Sequence, residues 1–433
     1  MSRRGLERLA VGWAVWVARR PWRVIAATLL LVAVAATGLP RLELSNSFRV
    51  YFSEENPERV AFEALEATYA KSDNILFVLR PAAGDVFTAE TLASLERLTE
   101  AAWRLPWASR VDSPTNFQHS RAEGDELIVA DLVRGAEKLD RRALARVRST
   151  ALAEPALAGL LVSPDGSTAG VNVVFQFPGA SRSEVPEAVA AARELARQTE
   201  AGTPGIRVYL SGVALLDHAF ADAGQRDGAT LLPVMLGVVV LFLAVVLRSL
   251  SACLATLAVL GCATLSALGL AGHLGIRLTP VAMTAPTIIL TLAVADGVHL
   301  FGTILSTRRR GASRRGALAE ALRVNLVPVS VTSATTMVGF LALNFADTPP
   351  FRDLGNLTAL GIGAAWAAAL SLLPALAMKL PLPAPRGDGE GRWTRALDAW
   401  GAWVVRRPGF ALAAVGALAL GAGAGLTRLG LDD

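Results

Sequence analysis

Asp296 and His299 stand three residues apart inside an otherwise apolar stretch, TAPTIILTLAVADGVHLFGT at 284–303. At 1.5 Å per residue Asp296 is about 18 Å from the arginine cluster that opens at Arg308, near mid-membrane for a helix crossing a bilayer. An aspartate at that depth costs about 2.5–3.5 kcal/mol on insertion scales, so it normally faces a protein interior and has work to do there. The i, i+3 spacing sets both side chains on one helix face. A carboxylate and an imidazole together can hold and pass a proton near neutral pH. The pair therefore reads as a proton relay, with hydroxyls of Thr332, Ser333, Thr335 and Thr336 in the next apolar segment able to reach Asp296 or carry a water chain. Those hydroxyls can equally bond their own backbone and allow close packing. His299 either carries protons or only orients Asp296.

What must position such a pair is a set of membrane-spanning helices. Of 433 residues, 53% are hydrophobic and 18% charged, the profile of an integral membrane protein with a soluble portion. The formal charge is +5, but the arginines cluster at the ends of apolar segments. That is the positive-inside pattern of a membrane protein, and it argues against nucleic-acid binding. Cys253 and Cys262 lie nine positions apart in one apolar span, on opposite sides of a helix, so no bridge forms between them.

Residues 1–21 form a basic, tryptophan-bearing stretch with Leu6, Leu9, Trp13 and Trp16 at near-helical spacing, predicting an amphipathic helix on the cytoplasmic surface. A first uncleaved span follows at 22–40. From 41 to 228 the composition is that of a soluble, extracytoplasmic α/β domain. Strand-like runs at 74–80, 126–132, 168–177 and 206–212 alternate with helical runs at 88–105, 141–152 and 184–199, predicting ferredoxin-like split β-α-β units. No nucleotide fingerprint, metal-ligand spacing or catalytic triad occurs in it, and His119 and His218 read as ordinary lone histidines. No cofactor is expected. Residues 229–379 hold five more spans, near 229–247, 251–272, 280–305, 326–346 and 356–378. The loop carrying Arg308, Arg309, Arg310, Arg314, Arg315 and Arg323 is cytoplasmic by charge, and the span count closes with the soluble domain outside.

The segment 380–408, a Pro/Gly-rich linker and a second amphipathic helix, repeats the beginning of the chain. WVVRRP at 403–408 matches WVARRP at 16–21, with Arg395 on Arg8, Trp400 on Trp13 and Gly425 on Gly38. Arg428, Leu429 and Leu431 match Arg41, Leu42 and Leu44, so a seventh span at 409–427 is the first span again and 428–433 the opening of a second soluble domain.

This arrangement resembles the resistance–nodulation–division superfamily of exporters, and more closely its MMPL-type lipid exporters. The likeness rests on LAVADGVHL (292–300), PVSVTSATTMVGFLAL (328–343), FRDLGNLTALGIG (351–363) and SLLPAL (371–376). It implies an α-helical polytopic membrane protein of seven spans with an inserted extracytoplasmic α+β domain of ferredoxin-like, porter-type subunits. It further implies a secondary active transporter, not an enzyme, in the bacterial inner membrane, with Asp296 at the position of the family's fourth-span acid. Many MMPL members have tyrosine after that acid, where this chain has Gly297. The implied substrate is a membrane lipid or other hydrophobic small molecule, and the implied partners are further copies, as dimer or trimer, and a periplasmic protein. Sterol-sensing domains share the span arrangement, which leaves a lipid sensor open as an alternative. A proton-driven accessory of protein translocation is another. A complete exporter of this type carries a second soluble domain and five more spans, so the chain reads as part of a longer protein. The alternative is a half-transporter that dimerises to complete the pseudo-symmetry.

Overall fold

The computed structural model describes residues 3–45, 48–68, 73–123, 125–181, 183–382 and 392–425. Most of the linker, 383–391, and the matches at 426–433 lie outside them. Helix α1 (Arg3–Arg19) leads through Arg20 into α2 (Pro21–Ala36), the proline standing where a helix start needs no N–H donor. After α3 (Pro57–Thr68) comes the α/β domain: β1 (Asn74–Pro81), α4 (Ala89–Ala102), β2 (Ala108–Asp112), β3 (Gln118–Glu123), β4 (Glu126–Asp131), α5 (Arg141–Ala153), β5 (Ala169–Phe175), α6 (Glu184–Gly202) and β6 (Ile206–Ser211). Helices α7 (Val213–Leu247), α8 (Leu250–Leu274), α9 (Ala285–Arg309), α10 (Arg314–Leu341), α11 (Pro349–Leu370) and α12 (Leu372–Lys379) follow. The described chain closes with α13 (Arg392–Arg406) and α14 (Pro408–Gly425). Seven segments, Pro21–Arg41, Val213–Leu247, Leu250–Leu274, Ala282–Arg309, Arg314–Phe345, Pro349–Lys379 and Pro408–Gly425, are long and apolar enough to cross a membrane.

Four strands form one sheet in the order β2-β5-β1-β6, every pairing antiparallel. With α4 joining β1 to β2 and α6 joining β5 to β6, this is one ferredoxin-like unit. Ile75, Phe77 and Leu79 alternate into the core beneath the helices, as period-two patterning requires. Two features depart from the sequence expectation. The run at 126–132 pairs with β3 as a separate hairpin, and β2, whose residues ASRVD carry little apolar signal, fills its place in the sheet. The helices start where hydroxyls and carboxylates cap them: Thr88 accepts from the Thr91 N–H at 3.2 Å and Asp140 from the Ala143 N–H at 2.7 Å.

The sixth strand runs directly into the second span. Gly212, at φ +122°, makes the turn, and a Cβ there would meet the Asn74 carbonyl of β1. The 35 residues of α7 extend about 52 Å at 1.5 Å per residue, well beyond a hydrocarbon core of about 30 Å. So α7 belongs to both parts of the molecule. A second link is the stem after α2: Leu44 bridges Leu278 in parallel, the Ser45 N–H donates to the Leu278 carbonyl at 3.1 Å and the Leu278 N–H to the Glu43 carbonyl at 2.8 Å. Arg277 beside it reaches Glu54 at 3.4 Å.

In the bundle, small residues let backbones meet. A Cβ on Gly269 of α8 would strike the Ala35 carbonyl of α2, and one on Gly272 the Gly38 carbonyl. Helix α1 buries Ala10, Ala14 and Val17 on the bundle, against α10 and α12. Pro374 has no N–H, so the Leu370 carbonyl four residues before it loses its helical donor, and α11 breaks from α12 at Ser371. The indole N–H of Trp13 donates to that carbonyl at 2.7 Å. By contrast, α14 buries none of its residues.

Candidate functional site

Asp296 lies on α9 about 16 Å along the axis from Ala285 and about 20 Å from Arg309, by the rise of a helix. Its side chain is only 8% exposed. Helices α8, α10 and α11 all pack on α9. From α8, Thr256 closes on Gly297, where any Cβ would collide with the threonine side chain; glycine after the acid is what lets α8 approach. From α11, Gly361 makes room for Ile289 in the same way. From α10, Ser333, itself 4% exposed, brings its hydroxyl to the Asp296 carboxyl. The Trp366 indole donates to the Ser330 hydroxyl at 3.0 Å and ties α11 to α10 beside this contact.

An ionised carboxylate has about four acceptor sites. Ser333 is the side chain that the structure brings to Asp296 as a hydrogen-bond partner. The Thr256 hydroxyl, on the helix that closes on Gly297, is spent on its own helix, donating to the Ala252 carbonyl at 2.9 Å. Such an acid is shielded from lipid yet little compensated by protein, which is the setting in which a carboxyl group does proton chemistry.

The other sequence-derived candidates are placed differently. His299 is exposed, and no hydrogen bond joins it to Asp296. Thr332 is exposed as well. Thr336 is half-buried and its hydroxyl donates to the Thr332 carbonyl at 2.7 Å, while Thr335 donates to the Val331 carbonyl at 2.9 Å. Thus Asp296 and Ser333 are brought together, and His299, Thr332 and Thr336 are not joined to them. Among the described residues no three of His, Cys, Asp or Glu gather closely enough to hold a metal ion.

A second polar contact between the same two helices escaped the sequence reading. Asn325 of α10, 7% exposed, donates to the Thr303 hydroxyl of α9 at 2.9 Å, and Thr303 donates to the His299 carbonyl at 2.9 Å. Asn325 precedes Ser333 by eight residues and Thr303 follows Asp296 by seven, so one face of each helix carries both contacts. That spacing was the available signal. Asn325 fell just outside the apolar window and Thr303 looks like any threonine in a span. Further toward the other end, Thr358 of α11 has a fully buried hydroxyl with no hydrogen-bond partner.

Known proteins match much of the chain. The profile of the MMPL family matches residues 63–411. MJ1562 of Methanocaldococcus jannaschii is 31% identical over 174 residues, 40% of this chain and 45% of that protein. MmpL10 of Mycobacterium leprae, named a probable transport protein, is 30% identical over 302 residues, 65% of this chain and 29% of its own length. The siderophore exporter MmpL5 of Mycobacterium tuberculosis is 30% identical over 221 residues, 49% of this chain and 22% of its own. The chain thus spans less than half the length of each of these relatives.

Proposed function

From its membership of the MMPL family, to which this multi-pass membrane chain belongs, we propose that it works in a proton-driven exporter of a hydrophobic or lipid-like substrate. The observation that carries the reading is the buried Asp296, midway along α9 with Ser333 of α10 as its hydrogen-bonding neighbour. Gaining a proton removes the charge of Asp296 and changes what α9 and α10 gain by lying close together. One charge moving through the membrane potential supplies about 2.3 kcal/mol per 100 mV, enough to bias an element with two arrangements. The fold offers two routes for that bias to reach the α/β domain: α7, which packs on α9 and continues into β6, and the stem strand paired with Leu278 just ahead of α9. His299 and Thr332, both exposed, and Thr336, half-buried and bonded to its own helix, are assigned supporting places in the relay.

The excess of basic residues at one end of the bundle supports a cytoplasmic arginine-rich turn between α9 and α10 and an α/β domain outside. Reporters inserted at Gly311 and at Gly179, both exposed, should fall on opposite sides of the membrane. The reading itself is tested by Asp296→Asn, which keeps shape and polarity but cannot exchange a proton. In the protein containing this chain, at normal membrane abundance, substrate export under an imposed pH gradient should be lost. Undiminished export by Asp296→Asn would refute the coupling role, and a lipid-sensing role would leave lipid binding unchanged in the same variant.

A further inference from the structure

Beside the break between α11 and α12, α1 and spans five and six enclose a groove of about 660 Å³ that the proton step does not use. Trp13 and Trp16 of α1 form one wall, Trp366 and Leu370 of α11 the other, with Leu326 of α10 between and Arg8 at the rim. The walls are already fixed. Trp13 and Trp16 stack at 5.0 Å with planes 20° apart. The N–H of Trp13 is held by the Leu370 carbonyl and that of Trp366 by the Ser330 hydroxyl. Both indoles therefore turn apolar ring surface, and no free donor, toward the groove. Protein leaves much of that surface uncovered: Trp13, Trp16 and Trp366 are 39%, 43% and 36% exposed. Among the described residues that line the groove, Arg8 carries a charge and is exposed.

We propose that this groove is a binding site for one anionic phospholipid, its phosphate on Arg8 and an acyl chain along the indole faces. The location is right for it, since α1 lies at the arginine-flanked ends of the spans, where headgroups and helix ends meet. Rigid tryptophan faces bind a chain with little loss of side-chain freedom, and a guanidinium at the rim favours a negative headgroup. An independent observation comes from the internal repeat: Arg395, Trp400 and Trp403 recur on α13 with the same spacing as Arg8, Trp13 and Trp16. A general interfacial anchor needs tryptophan and arginine somewhere near the membrane surface. A built site needs them at fixed separations, and those separations are what is repeated.

The test uses the 433-residue chain in bilayers doped with dibromoacyl phosphatidylglycerol or dibromoacyl phosphatidylcholine, with bromine quenching of tryptophan fluorescence as readout. Brominated phosphatidylglycerol should quench more at equal mole fraction. Arg8→Gln should lower the relative affinity for the anionic lipid about fivefold, the factor given by about 1 kcal/mol per basic residue at a membrane surface. Trp366→Phe, which keeps an aromatic wall but removes one reporter, should reduce the phosphatidylglycerol-specific part of the quenching. Equal quenching by the two lipids, a preference undiminished by Arg8→Gln, or a specific component unchanged by Trp366→Phe would each overturn the proposal.

Discussion

Two carboxylates in the molecule expose almost equally little surface and are treated in opposite ways. Glu184, at the start of α6 in the α/β domain, is 6% exposed, and Asp296, in the bundle, is 8% exposed. The Glu184 carboxylate accepts three backbone N–H groups, from Gly179 and Ala180 at 2.8 Å and Ser181 at 2.9 Å. Desolvation pushes its pKa up, yet those donors, Ser181 first, then Gly179 and Ala180, hold it below the ordinary glutamate value. Glu184 is thus fixed as an ion and used as a cap for a loop. Asp296 meets one hydroxyl, from a different helix. Burial alone does not mark a working acid. What separates the two is how many donors are locked onto the carboxyl, and whether those donors belong to the same rigid segment or to an element that can move.

If that distinction is right, the largest effect after Asp296→Asn should come from Ser333. A hydrogen bond to a charged group is worth about 1.5–3 kcal/mol, so Ser333→Ala should slow proton-driven export roughly 10- to 100-fold while Ser333→Thr retains more of it. Equal rates for the alanine variant and the parent, measured in the same vesicles, would leave Asp296 without a partner in α10. Next in size is Gly297→Val, which drives a side chain into Thr256 and costs about 1–3 kcal/mol of overpacking. It should lower membrane abundance and export together, whereas Ser333→Ala should lower export alone. In the α/β domain, Glu184→Gln should leave transport chemistry intact and change stability instead. Because the folded pKa of Glu184 is lowered, its contribution is present above the ordinary value of 4.5 and fades as pH falls below that, through the folded value. The melting midpoint of the variant should accordingly lie below the parent's near neutrality, with the gap narrowing as pH falls below 4.5. Smallest of all, His299→Gln and Thr332→Val, at exposed positions, should alter export by about twofold or less, the range of ordinary surface changes.

These expectations also separate what the sequence could reveal from what it could not. A charge in an apolar span is conspicuous, so Asp296 stood out, and the hydroxyl-bearing span that would face it followed from its pattern. Which of four neighbouring hydroxyls meets the acid depends on how α10 is rotated, and that is set by packing on α9 and α11. The same holds for His299. It is one helical turn from Asp296, but the buried arc of α9 ends between them, and nothing local to the segment marks that edge. In the α/β domain the strand with strong alternation, β1, was legible, while β2 is held in place by β5 and not by its own composition. The polar composition ahead of the second span assigns 213–228 to the soluble domain, whereas these residues are the first turns of α7. Hydropathy finds where a helix enters lipid, not where the helix begins.

Infrared difference spectroscopy of the chain in lipid, cycled between acidic and neutral pH, distinguishes an Asp296 that changes protonation from a Glu184 that stays ionised near neutrality. A protonated carboxyl shows a C=O stretch that an ionised one lacks. A component of that band should appear and vanish with pH in the parent, be missing in Asp296→Asn, and persist unchanged in Glu184→Gln. A spectrum unchanged by Asp296→Asn, or a component that disappears with Glu184→Gln instead, would mean that Asp296 does not change protonation.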